Sequence, residues 1–153
     1  MKYFTDDFSD IDGYLKQLEQ IKNRFSDDAY RFLSTDSFHD AHIMYIKLNN
    51  LFSPEVGGEV DDPTLIEAQL LHSNGDKYVV KLHGVNRYLM DYDINRNTYA
   101  DSDEIAFNGL RGLDDWIADE ITAYDEHYLM HKVILASDAK LEIRFRTIFI
   151  KKI

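Results

Sequence analysis

Cysteine is absent from these 153 residues, which removes a disulfide framework, a thiolate nucleophile and any cysteine-based zinc site. Such a composition suits a reducing compartment. Proline occurs twice and tryptophan once, at Trp116. No apolar run approaches the ~20 residues that span a bilayer, and the start, MKYFTDDFSD, turns acidic where a signal peptide would be apolar. A cytoplasmic protein is therefore expected. Basic residues are scarce too: 17 Lys and Arg stand against 28 Asp and Glu, a net charge of −11. The excess is concentrated early, with 13 acids against 6 bases in residues 1–62. A field of this sign repels phosphate backbones and anionic lipid, so neither nucleic acid nor membrane is an expected partner, and it steers basic partners inward.

What remains is globular: 44% hydrophobic and 13% aromatic residues in a chain the length of one ordinary domain. We read 1–153 as a single domain, helical over 1–36 and β-rich over 37–153. Residues 9–25 carry Ile11, Tyr14, Leu15, Leu18, Ile21 and Phe25 at helical spacing, with Ser9 or Asp10 as cap. Ser26-Asp27-Asp28 opens a second helix, to about Leu33. From Ser37 onward the pattern becomes alternating. His42, Met44, Ile46 and Leu48 are expected on one strand face, with Ile43, Tyr45 and Lys47 on the other.

Pro54, Gly57, Gly58 and Pro63 mark an acidic loop over 53–63. Two hairpins follow the same logic. A three-residue loop at Asn74-Gly75-Asp76 predicts the pairs His72–Tyr78, Leu70–Val80 and Ala68–Leu82. A second at Ser137-Asp138-Ala139 predicts Leu135–Leu141, Val133–Ile143 and His131–Phe145. Between them, a strand over 86–93 aligns Tyr88, Met90 and Tyr92, and 95–109 reads as irregular. Leu113, Trp116, Ile117, Ile121 and Tyr124 fit a helix by spacing. Ile148 and Ile150 require cover, from the helices or from a second subunit.

The densest chemistry is His39-Asp40-Ala41-His42. Imidazole and carboxylate together can hold a divalent metal or act as base and orienting acid, and His72, His83 or His131 could complete a shell. The alternative is that Asp40 and His39 order the backbone of a helix-to-strand turn. An HD-type phosphohydrolase site would need a histidine upstream of His39, and there is none. His131, on an apolar face, reads as a core histidine, with Asp119-Glu120 available to pair with it or with an arginine. Asp101, Asp103 and Glu104 lack the glycine and closing glutamate of a calcium loop. No phosphate loop or serine elbow is present.

Phe38-His39-Asp40-Ala41-His42-Ile43 resembles the entry to the first strand in several small, uncharacterised bacterial protein families. Trp116 to Asp119-Glu120-Ile121, then Leu129-x-His131-x-Val133-Ile134-Leu135-Ala136-Ser137, then Leu141-x-Ile143-x-Phe145, resembles their C-terminal pattern W-x-x-DE…L-x-H-x-I-x-F-A-S-G…I-x-F. Roughly a third of the chain is covered, and Asp138 stands where the pattern has glycine. These proteins are typical of Gram-positive genomes, and some look like immunity partners of polymorphic toxins. The resemblance implies strand, not helix, for Ile117–Ala123. It also implies that His39, Asp40, Glu120 and His131 are structural or binding residues.

The expected fold is α+β: an N-terminal helix pair packed on a twisted antiparallel sheet or half-open barrel of about seven strands. The expected function is a non-enzymatic acidic binding protein, an immunity-type inhibitor of a basic toxin. Its contacts are His39, Asp40, Glu120 and His131 together with Glu55, Glu59, Asp61 and Asp62, without a cofactor or metal. One alternative is a small metal-dependent hydrolase using His39, Asp40 and His42. The other is a structural subunit of a larger assembly, which requires an apolar patch around Ile148 and Ile150. An open edge at the last strand would allow a homodimer.

Overall fold

The computed structural model describes residues 1–5, 7–51, 62–93 and 113–153. Most of the 53–63 loop, including Glu55, Glu59 and Asp61, lies outside them, as do the irregular stretch 95–109 and Asp101, Asp103 and Glu104. The described chain is α+β and mostly sheet. A two-stranded hairpin, β1 (Phe4–Thr5) and β2 (Phe8–Ser9), leads into α1 (Ile11–Gln20). After a short 3-10 turn, Lys22–Arg24, comes α2 (Asp27–Thr35). The long strands follow: β3 (His42–Asn50), β4 (Thr64–Leu71), β5 (Lys77–His83), β6 (Arg87–Asp91), β7 (Trp116–Ala123), β8 (Leu129–Leu135), β9 (Lys140–Phe145) and β10 (Thr147–Lys152).

They form two four-stranded antiparallel sheets, ordered β10-β5-β4-β3 and β6-β9-β8-β7. The sheets are tied together twice. At one corner β5 runs on into β6 and β9 into β10, and the ladder carries through: Arg146 N–H donates to His83 O (2.9 Å) and Asn86 N–H to Arg144 O (3.0 Å). Gly84 makes the bend at φ +64, and a Cβ there would sit 2.9 Å from Arg146 Cγ, so both backbone and space disfavour a side chain there. At the opposite side Ala41 bridges to Trp116, with Trp116 N–H donating to Ala41 O (3.0 Å) and Asp40 N–H to Trp116 O (2.8 Å). The strands thus wrap around one core that includes Leu70, Leu129, Val133, Leu141 and Phe145.

The two helices cover sheet edges. Asp10 caps α1 by accepting from Gly13 N–H (2.8 Å), and Tyr14 Oη accepts from Ile121 N–H on the outer edge of β7 (3.0 Å). Ser26 caps α2 by accepting from Ala29 N–H (3.3 Å) and donates to Ile148 O on the edge of β10 (3.2 Å). Ile148 and Ile150 are buried, and α2 packs on their strand. Of the two sources of cover expected for Ile148 and Ile150, the helix supplies it.

Three local expectations change. In β3 a bulge between Ile43 and Tyr45 puts Ile43 and Ile46 on the core side and leaves Met44 exposed, so the expected alternation holds only after the bulge. Both hairpins keep the expected faces but shift by two residues, pairing Leu70 with Tyr78 and Val133 with Leu141. The loops are three residues long, as anticipated, yet start one position earlier. His72 N–H meets Asp76 O (2.8 Å) and Leu135 N–H meets Ala139 O (2.9 Å). This turn needs its left-handed residue last, which places Gly75 (φ +89) and Asp138 (φ +64) at the third position. Asp138 occupies a conformation that glycine adopts freely, so Asp138→Gly is expected to raise stability by about 0.5 kcal/mol in urea unfolding. A loss of that size would mean the entropy of the unfolded glycine outweighs the relieved strain.

Candidate functional site

β7 is where sequence and geometry conflict most usefully. A register shift between Trp116 and Ala118 bulges out Ile117. Trp116, Asp119 and Ile121 then all face the same side, paired with Leu135, Val133 and His131 of β8. A three-then-two spacing explains why the segment counts as a helix while folding as a strand.

The bulge gathers a network. His131 Nε2 donates to Asp119 Oδ2 (2.7 Å), and Trp116 Nε1 donates to Asp119 Oδ1 (3.0 Å). The Trp116 and His131 rings lie 5.6 Å apart. His131 is only 3% exposed, and its Nδ1 has no hydrogen-bond partner among the described residues. Two N–H donors thus fix the orientation of the Asp119 carboxylate. Each oxygen has a further lone pair to spare.

This carboxylate, itself 10% exposed, lines a cleft of about 810 Å³ between β1–β2, α1, the end of α2, the 36–39 turn and the start of β7. Ile11, Leu15 and Ile117 line it and remain partly exposed, although spacing assigned the first two to a buried helix stripe. Asp36 and His39 also line it; among the described residues no lysine or arginine does. Tyr14, at the same wall, is pushed well above the ordinary tyrosine pKa, first by burial and then by the Asp119 charge. It stays a neutral hydroxyl.

The histidines anticipated as ligands go to separate tasks. His39 Nδ1 lies 3.0 Å from Asp40 Oδ2, both side chains being exposed. His42 Nδ1 lies 3.3 Å from Asp115 Oδ1. His72 Nε2 donates to Ser37 O (2.9 Å) while its Nδ1 accepts from Asn74 N–H (3.2 Å), clamping the β4–β5 turn to the 36–39 turn. His83 packs edge-on to Phe149, and burial holds its pKa below the usual histidine range. Among the described residues no three His, Asp or Glu side chains converge as a metal shell. Asp40 stands in the left-handed region (φ +60), and its backbone N–H, not its carboxylate, ties the turn to Trp116.

Glu120, 3% exposed, accepts from Lys2 N–H (2.8 Å) and Tyr3 N–H (2.9 Å), fastening the N-terminal segment to β7. Asp62 is engaged by Arg146 (2.9 Å to Nε) and by the Tyr128 hydroxyl. Of the pairings open to Asp119, the one with His131 forms. Asp119 and the cleft around it were not among the expected binding residues, because only the bulge brings them together. Compared with known proteins, the chain matches no family model, no curated protein and no solved structure.

Proposed function

We propose that this chain is a non-catalytic binding protein of the cytoplasm, whose acidic exterior covers a basic surface of a partner protein in the manner of an immunity-type inhibitor. The observation that supports this reading most is the use made of Asp119. The only buried histidine–carboxylate pair among the described residues has its imidazole sealed behind the carboxylate, the reverse of what a general base needs. Asp119, fixed in orientation, and Asp36 line a cleft of mixed polar and apolar residues, within a chain of net charge −11. Fixed charge of one sign gives fast, selective association with the opposite sign.

The test is co-purification with proteins encoded beside it, at low and high salt. A specific partner is expected whose affinity falls about tenfold or more between 50 and 500 mM salt. The reading fails if no partner binds, or if binding is indifferent to salt.

A further inference from the structure

We propose that the cleft floored by Asp119 takes a single arginine or lysine side chain of the partner protein, flanked in the partner by aliphatic residues. This rests on the binding reading above and adds where the contact lies and what it recognises.

Three features define the occupant. The first is charge: Asp119, oriented by Trp116 and His131, and Asp36 both line the cleft, and among the described residues no lysine or arginine does. A buried anion left with spare lone pairs favours a cationic donor over a neutral one. The second is shape. At about 810 Å³ the cleft accommodates a side chain with its neighbours rather than a flat protein surface. The third is the wall. Ile11, Leu15 and Ile117 add exposed apolar surface to the lining, which suits the methylene stem of arginine or lysine. An acidic or phosphorylated ligand would meet Asp119 and Asp36 and be repelled.

Trp116 is the sole tryptophan, and its indole N–H donates to the carboxylate in question, so its amide-type NMR signal reports directly on the floor of the cleft. The full chain is titrated with acetyl-Leu-Arg-Leu-amide and with the same peptide carrying uncharged citrulline. The arginine peptide is expected to shift the Trp116 signal saturably, with the citrulline peptide weaker by about tenfold or more. Asp119→Asn should abolish that preference. Ile117→Gln, at a rim position outside the hydrogen-bond network, should weaken both peptides alike, and it serves as the test should Asp119→Asn fail to fold.

Equal shifts from both peptides, no shift from either, or an unchanged preference in Asp119→Asn overturn the proposal. Failure here with a salt-sensitive partner still found by co-purification would mean that the partner docks elsewhere. Success here without such a partner would leave the cleft assigned and remove the broader reading.

Discussion

Asp119→Ala is expected to lower the unfolding free energy by about 3–5 kcal/mol in urea titration. The loss comes less from the carboxylate than from what it leaves behind. Trp116 Nε1–H and His131 Nε2–H both point at it, and both residues are buried. Two orphaned donors cost about 1–3 kcal/mol each. Adding His131→Leu to the alanine variant removes one of the orphans, so the double substitution should be more stable than the single one. That sign is the sharper part of the expectation, because a simple sum of losses gives the opposite order. A single-variant loss below about 1 kcal/mol would show that water enters from the cleft and satisfies both donors.

The second large effect belongs to the next residue. Glu120→Ala should cost about 2–4 kcal/mol, since hydrogen bonds to an ionised acceptor are worth more than neutral ones. Both carboxylate oxygens accept from Lys2 N–H, and Oε2 also accepts from Tyr3 N–H. The consequence should be local before it is global. Tyr3 is a core residue packed 5.7 Å from the Tyr14 ring, so releasing the segment opens the core beside α1. Amide exchange at Lys2 and Tyr3 is expected to accelerate more than at β8. Glu120→Gln retains one acceptor and should recover part of the loss. Unchanged exchange in Glu120→Ala would assign the anchoring to Tyr3 packing alone.

Adjacent residues on one strand thus serve opposite sides of it, and this bears on what can be read from the chain. Faces were legible: the apolar sets of β4, β5, β8 and β9 follow from alternation, and both turns have the loop length that Gly75 and Asp138 suggest. Register was not, because alternation is indifferent to a shift of two. Only the rule that the left-handed residue closes this turn separates the pairings, and both hairpins miss in the same direction for that one reason. β3 and β7 were harder, since a bulge in each replaces a two-residue step by three. In β7 the resulting spacing imitates a helix, and the family-like pattern, not periodicity, points to strand. At the site, the Asp119–His131 contact could be anticipated as one of two pairings. The cleft could not, as Ile11 and Leu15 sit at spacings indistinguishable from those of buried Tyr14 and Leu18.

Tyr14 on β7 and Ser26 on β10 give the N-terminal third a task beyond filling space. An uncovered strand margin is a template for another chain's strand. A chain lacking residues 1–36 would retain every long strand and yet present two bare margins, along with the exposed side chains of Ile148 and Ile150. Its natural fate is stacking, copy upon copy. The helical segment therefore guards as well as fills: it occupies two strand margins that would otherwise be open to another chain's strand.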